Sequence, residues 1–113
     1  MENDICTKKL EEIMLELGHP DHLLGTGYLR CAVVLYAGGH TSITKDLYPA
    51  VAKICKTTGS RVERAIRHSI EVATLRGDPE AMKKYFGSSI DPQKGKATNS
   101  EYIARLARVS RAD

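Results

Sequence analysis

Residues 57–71 read TTGSRVERAIRHSIE, and their hydrophobic pattern is the strongest structural signal in the chain. Apolar or small side chains recur at the spacing of one helical face, which predicts an α-helix whose inner side packs on a core. That inner face comprises Val62, Ile66, Ser69, Ile70 and Ala73. The opposite face carries Arg61, Arg64, Arg67 and His68. This basic face raises the question of which acidic partner it meets.

The sequence also indicates where this helix begins and ends. Ser60 and Glu63 form an S-x-x-E capping box, in which each side chain accepts a hydrogen bond from the other residue's amide. Gly77 offers a left-handed residue at the other end. The predicted helix therefore extends from about Ser60 to Arg76.

The preceding segment, TSITKDLYPAVAKICKTTG at 41–59, predicts a short helix followed by a turn. Pro49 either begins a helix or bends a longer one, because proline lacks an amide donor and disfavours helix in the residue before it. The apolar side of this helix comprises Val51, Ala52, Ile54 and Cys55. Two helices joined by a tight KTTG turn are typical of a helix-turn-helix.

The remaining segments are helical as well. The first helix is predicted from about Asp4 to Leu17, ended by Gly18, and the second from about Gly27 to Ala37. Their inward residues are predicted to be Leu10, Ile13, Met14 and Leu17 in the first helix, and Leu29, Ala32, Val33 and Tyr36 in the second.

Two more helices complete the prediction. PEAMKKYF forms a short helix between Asp78 as N-cap and Gly87, and SSIDPQKGKA at 88–97 is a loop. A second capping box, at Thr98 and Glu101, opens a last helix whose apolar side comprises Ile103, Leu106 and Val109. The fold class is all-α: about six helices with a helix-turn-helix, in a single compact domain over residues 1–113.

Charge is distributed unevenly along the 113 residues. Residues 1–50 hold 4 Lys/Arg and 7 Asp/Glu, a balance of −3, whereas residues 51–113 hold 13 and 7, a balance of +6. The basic half is where a polyanion would bind. No apolar run is long enough to span a membrane, and the acidic start MENDICTKK does not resemble a secretory signal, so we expect a cytoplasmic location.

Cysteine and histidine spacing gives little support to a metal site. Cys6, Cys31 and Cys55 are widely separated without a CxxC pair, which predicts reduced thiols acting as small core residues. His19 and His22 form an HxxH, but no other ligand cluster accompanies them, so we interpret them as loop histidines. We expect no metal and no cofactor.

The basic helix face allows two interpretations. Arginine can donate to O6 and N7 of guanine together, and glutamate can accept from the amino group of cytosine, so the face suits the major groove. Exposed helix faces are also commonly charged, and Glu63 with Arg67, or Arg67 with Glu71, has the spacing of an ordinary ion pair. Composition and spacing leave both interpretations open.

A family resemblance favours the first interpretation. PAVAKICKTTGSRVERAIRHSIEVATLRG, with TSITKDLYP before it and KATNSEYIA after it, resembles the C-terminal effector domain of the stage zero sporulation protein A family. These proteins are the response regulators that start endospore formation. The resemblance extends from the first helix to about Ala107, and SRVERAIRH followed by IEVA is its most specific part. It implies a six-helix fold and sequence-specific binding of double-stranded DNA at short promoter boxes, with activation or repression of transcription.

The resemblance also assigns residues. It implies base contacts by Arg61, Glu63 and Arg64, and backbone contacts by Ser60, Arg67 and His68. Lys56 in the turn is added as a phosphate contact from its position and charge. The segment from Gly77 to Gly87 is implied to touch the sigma subunit of RNA polymerase, although its Asp78-Pro79-Glu80 start departs from the family pattern. The polymerase-contact candidates are Asp78, Lys83, Lys84 and Phe86.

The last helix, from Glu101 to about Ser110, is associated in that family with pairing of two domains on tandem boxes. Family members also carry an N-terminal receiver domain, which this sequence lacks, so we expect an excised effector domain or a naturally short relative.

No motif of a known catalytic site is present, and an enzyme is not expected. The alternative is a protein-interaction module of the same fold that binds a regulator or RNA polymerase without base readout.

Overall fold

The computed structural model describes residues 5–87 and 98–112 of the chain. Its six α-helices are α1 Thr7–Glu16, α2 Leu24–Ala37, α3 Tyr48–Cys55, α4 Gly59–Arg76, α5 Pro79–Phe86 and α6 Asn99–Val109. A π-helical turn, Ile43–Leu47, directly precedes α3. The described residues contain no strand, only an isolated antiparallel bridge between Ile5 and Arg111. The all-α prediction with about six helices is confirmed, and the predicted loop at 88–97 lies outside the described residues.

The second helix forms the centre of the domain. α2 packs against α3, α4 and α6, and the residues predicted to face inward in α2 and α1 are buried, except that Tyr36 is half-buried. The radius of gyration is 13.0 Å, as expected for one compact domain of about 100 residues. α4, the helix with the basic face, therefore rests on the most enclosed helix of the domain.

Helix starts differ from the predictions where tertiary packing outweighs local sequence. α2 begins at Leu24, three residues before the predicted start at Gly27, and its second and third residues, Gly25 and Thr26, are buried. α3 begins at Tyr48 with Pro49 in its first turn, so Pro49 marks a helix start, the first of the two interpretations. The π-helical turn leads directly into this start, since the Tyr48 amide donates to the Ile43 carbonyl oxygen, and Pro49 follows as the second residue of α3.

The ends of α1 and α4 meet at two glycines. Gly18 has a left-handed φ of 98°, consistent with its role in ending α1. Gly77 has φ −73° and ψ 162°, so the predicted left-handed end of α4 is wrong. A Cβ at residue 77 would lie 2.1 Å from the carbonyl oxygen of Leu17. Glycine is needed at position 77 because the two helix ends lie in contact.

All three cysteines have free thiols and are half-buried, at the margin of the core. Burial raises the pKa of the Cys31 thiol to about 11, with a further contribution from neighbouring Cys55. The burial of the three cysteines is shallower than the predicted core positions.

Candidate nucleic-acid interface

The helix-turn-helix consists of α3, a three-residue turn at 56–58, and α4. Lys56 adopts a left-handed conformation, φ 58° and ψ 52°, and ends α3. The amides of Lys56 and Thr57 both donate to the carbonyl oxygen of Ala52, which satisfies a carbonyl that the helix end leaves free. This backbone arrangement reverses the chain tightly enough for α4 to follow α3 directly.

The start of α4 differs from the prediction. The N-cap is Thr58, whose Oγ1 accepts a hydrogen bond from the Arg61 amide at 3.3 Å. The predicted capping box at Ser60 and Glu63 is wrong, because both residues already lie inside the helix. The sequence TTGS offers hydroxyl caps at several positions, and the chain uses the second threonine. Ser60 and Arg61 consequently lie in the first turn of α4, at the end where a major-groove helix reads base edges.

The basic face of α4 is exposed as predicted. Its inner face buries the predicted set Val62, Ile66, Ser69, Ile70 and Ala73. The exposed residues of the turn and helix include the predicted contacts Lys56, Ser60, Arg61, Arg64, Arg67 and His68. Within residues 5–87 and 98–112, neither Arg61 nor Arg64 forms an ion pair. Two guanidinium groups in consecutive turns therefore face solvent without neutralisation.

Glu63 and Arg67 are the exception on this face. The Arg67 guanidinium donates a hydrogen bond to a Glu63 carboxylate oxygen across one helical turn, with the side chains 53% and 32% exposed respectively. The ordinary ion pair considered from the sequence is thus formed by Glu63 and Arg67. Such exposed i,i+4 pairs contribute only about 0.3–0.5 kcal/mol, so a stronger acidic partner can replace Glu63 at the Arg67 guanidinium.

A groove of about 610 Å³ lies between the start of α3 and the first turns of α4. Its lining residues are Thr44, Tyr48, Pro49, Gly59, Ser60, Glu63 and Arg64. Thr44 belongs to the π-helical turn and is exposed. The sequence did not single out Thr44, because the π-helical turn has no distinct residue pattern. The groove brings three of the predicted site residues together beside the first helix of the motif.

Asn99 is a second residue that the sequence did not single out. It is the first residue of α6, and its side-chain amide donates to the Tyr48 hydroxyl at 3.0 Å and to the Glu63 carbonyl oxygen at 3.1 Å. The capping box predicted at Thr98 and Glu101 is confirmed, and it fixes the start of α6 at this contact. One side chain thus joins α3, α4 and α6 behind the basic face.

The inner face of α4 is held by a buried hydrogen-bond chain centred on His19. His19 Nδ1 lies 2.7 Å from Ser69 Oγ, and its Nε2 lies 2.7 Å from the Tyr102 hydroxyl. Ser69 Oγ lies 3.3 Å from the hydroxyl of Thr26, which donates to the carbonyl oxygen of Pro20 at 2.7 Å. The chain connects the loop after α1 with α2, α4 and α6.

One arrangement of protons gives every hydrogen bond of this buried network a donor and an acceptor. Because Thr26 donates to Pro20, Ser69 donates to Thr26, His19 Nδ1 donates to Ser69, and Tyr102 donates to His19 Nε2. The reverse tautomer would leave no proton between Ser69 and Thr26. Burial raises the pKa of the Tyr102 phenol and lowers that of the His19 imidazole to about 4, so both groups are neutral at pH 7.

The buried hydrogen-bond chain also corrects the interpretation of His19 and His22 as two loop histidines. His19 is 1% exposed and belongs to the core, whereas His22 is exposed. Among the residues that the structure describes, no group of three or more histidine, cysteine or acidic side chains could hold a metal ion. No local sequence signal indicated the buried role of His19, because its partners Ser69 and Tyr102 lie 50 and 83 positions later in the chain.

The polymerase-contact candidates fall into two groups. Asp78 caps α5 by accepting from the Glu80 amide at 3.0 Å, and Lys83 and Lys84 are exposed, with Lys84 Nζ 3.9 Å from a Glu16 carboxylate oxygen. Phe86 is 1% exposed and packs on the Tyr102 ring at 4.8 Å between centroids. Phe86 is therefore a core residue and cannot offer its ring to a partner in this conformation, a correction to the sequence-based assignment.

The fold and the exposed basic helix define a helix-turn-helix domain suited to binding a polyanion. The comparison with protein families agrees: residues 10–109 match the family described as sporulation initiation factor Spo0A C terminal. The chain belongs to this family, a DNA-binding regulatory domain of sporulation. In the part of the chain covered by the structure, none of the helices combines the length and the apolar character needed to cross a membrane.

Proposed function

We propose that the chain binds promoter boxes of sporulation genes sequence-specifically, by placing α4 in the major groove. The observation that carries this proposal is the pair of unneutralised guanidinium groups, Arg61 and Arg64, in the first turns of α4. An arginine fork facing a guanine can donate to both acceptors of its major-groove edge. A helix-turn-helix presents residues of these turns to base edges.

The remaining site residues take supporting roles in this proposal. Glu63 accepts from a base amino group next to the arginine contacts, while Lys56, Ser60, Arg67 and His68 hold phosphates. Arg67 leaves the Glu63 carboxylate for a phosphate when DNA binds, which frees Glu63 for a base. The exchange replaces a weak exposed pair with a charge-assisted contact. In the free protein, Glu63 and Arg67 therefore neutralise each other.

The proposal extends to transcription. Asp78, the N-cap of α5, and Lys83 and Lys84 on α5 remain the exposed candidates for contact with the sigma subunit of RNA polymerase. The exposed side of α6 is the surface expected to meet a second copy on tandem boxes. Because the target is chromosomal DNA, the proposed place of action is the cytoplasm. The two contacts rest on the family resemblance and on exposure, and DNA binding does not depend on either of them.

The test is fluorescence anisotropy of the purified chain with a duplex bearing two tandem sporulation-type boxes and with a scrambled duplex, at two salt concentrations. We expect tighter binding to the boxes that persists at the higher salt, since base contacts depend less on salt than phosphate contacts do. Equal and salt-sensitive binding to both duplexes would contradict base readout and favour the protein-interaction module.

A further inference from the structure

Asn99 contacts the helix-turn-helix from outside the motif. It lies at the start of α6, half-buried, and both hydrogen bonds of its side-chain nitrogen cross to other helices. A side-chain amide has two hydrogens, so the Tyr48 hydroxyl and the Glu63 carbonyl oxygen use its whole donor capacity. The two acceptors belong to the first and the second helix of the motif.

Tyr48 makes this contact rigid on the α3 side. The residue is 7% exposed, and burial is the main cause that raises the pKa of its phenol, so the hydroxyl stays protonated. A Cβ built on Gly59 would lie 3.8 Å from the Cβ of Tyr48, which places Tyr48 against the first residue of α4. Tyr48 therefore touches α4 at its start. The Asn99 side chain links the Tyr48 hydroxyl by hydrogen bonds to the Glu63 carbonyl oxygen, one turn further along α4.

The contact on the α4 side lies within the proposed base-reading segment. The carbonyl oxygen of Glu63 has two lone pairs and accepts from Asn99 beside its place in the helical hydrogen-bond ladder. Glu63 lies between Arg61 and Arg64 in sequence, so the bond attaches the backbone of the segment that carries all three proposed base contacts. A hydrogen bond at this point limits rotation of α4 about its axis and tilt relative to α3.

The start of α6 is itself fixed. The Thr98 amide donates to a Glu101 carboxylate oxygen at 2.9 Å, and the Glu101 amide donates to Thr98 Oγ1 at 3.2 Å. This capping box determines where α6 begins and hence the position of the Asn99 side chain. α6 therefore supplies a firm attachment point for α4.

We propose that Asn99 is a positioning residue that sets the orientation of α4 for base readout without touching DNA. The inference rests on the proposed function. Arginine base contacts need correct placement of both donors at once, whereas phosphate contacts tolerate a small rotation. Loss of the Asn99 bridge therefore lowers affinity for the boxes and leaves affinity for scrambled DNA nearly unchanged.

The test compares Asn99→Asp with Ser100→Asp in the full chain. Aspartate has the shape of asparagine, but its ionised carboxylate cannot donate to the Glu63 carbonyl oxygen, while the protonated Tyr48 hydroxyl can still donate to it. Ser100 is exposed at the next position of α6, so Ser100→Asp adds the same charge near the same helix start and leaves the bridge intact. Acidic residues in the first turn of a helix are favourable, so both variants are expected to fold.

The readout is the ratio of the two dissociation constants, for the scrambled duplex over the box duplex, by fluorescence anisotropy. Partial unfolding lowers both affinities equally and cancels in this ratio. We expect Asn99→Asp to lower the ratio about fivefold, the effect of losing the hydrogen bond to the Glu63 carbonyl oxygen, and Ser100→Asp to leave it within about twofold. Tyr48→Phe, which removes one acceptor and keeps the ring, is expected to lower it about threefold.

The outcomes separate the inference from the proposed function. A ratio for Asn99→Asp equal to that of Ser100→Asp, with a selective wild type, overturns the positioning role and leaves the proposed function standing. A wild type that binds both duplexes equally overturns the proposed function and the inference with it. A lowered ratio in Asn99→Asp and Tyr48→Phe together supports both.

Discussion

Gly25 in α2 lies directly against the backbone of Ala65 in α4. A Cβ built on Gly25 would lie 2.0 Å from the Ala65 carbonyl oxygen and 3.0 Å from the Cβ of Ser69. α4 can therefore rest on α2 only because position 25 has no side chain. This contact fixes how far the basic face of α4 projects from the domain.

Gly25→Ala is expected to destabilise the domain by about 1–3 kcal/mol, because the added methyl group forces α2 and α4 apart. Gly27→Ala is the matched control, since nothing lies within 4 Å of a Cβ at position 27 of the same helix. Alanine at position 27 is expected to stabilise the domain by about 0.5–1 kcal/mol through helix propensity. Urea unfolding of both variants measures the difference, and equal effects at the two positions would contradict the contact.

The buried His19 makes stability depend on pH. The pKa of its imidazole is about 4 in the folded chain, against 6.5 for the unperturbed side chain. The unfolded state binds more protons between these values, so the free energy of unfolding falls as the pH drops from about 6.5 to about 4, by about 3 kcal/mol. The contribution of His19 is fully present above the unfolded pKa and is lost as the pH falls through the folded one.

Paired variants isolate this contribution from that of the carboxylates. His19→Gln removes the titrating group and should flatten the dependence of the unfolding free energy on pH between about 4 and 6.5. His22→Gln, at the exposed histidine three positions later, should keep the wild-type slope. A wild-type slope in His19→Gln would show that His19 does not carry the dependence.

Lys56 combines a charge with a left-handed backbone, and two variants separate them. Lys56→Ala and Lys56→Gly both remove the charge, and each is expected to weaken binding to all DNA sequences alike and to lower the salt slope by about one. Only Lys56→Gly relieves the left-handed conformation, so it should be more stable than Lys56→Ala by about 1 kcal/mol. A salt slope unchanged in both would remove Lys56 from the phosphate contacts.

The Glu63–Arg67 pair predicts a change of specificity. Glu63→Gln frees Arg67 and removes an acidic group from the basic face, so binding to scrambled DNA should tighten while discrimination at one base pair falls. Glu71→Gln removes the same charge two turns later on α4 and serves as the control. If both variants tighten scrambled binding and neither loses discrimination, net charge alone explains the effect, and Glu63 reads no base.

The sequence predicted most of the features that depend on local periodicity. The inner face of α4, the capping box of α6 and the Asp78 cap of α5 follow from spacing within one helix, and the structure contains all three. The start of α4 was misplaced because Thr57, Thr58 and Ser60 all offer a capping hydroxyl. Which of them is used depends on how α3 ends at Lys56.

Features that depend on contacts between distant segments were not predictable in this way. Phe86 has an exposed-looking context in KKYFG, yet it packs on Tyr102 from α6. His19 is polar and follows a glycine, but its partners come 50 and 83 positions later. Asn99 is likewise defined by its acceptors in α3 and α4. A periodic pattern describes one helix and carries no information on what packs against it.

The most direct test of base readout by α4 is the effect of Arg61→Ala on binding to a box duplex, to the same box with single base-pair substitutions, and to a scrambled duplex. We predict a loss of about 1–3 kcal/mol on the box, with preference relaxed at one base pair and little change on scrambled DNA. Equal losses on the box and the scrambled duplex would contradict the account, because Arg61 would then contact only the backbone.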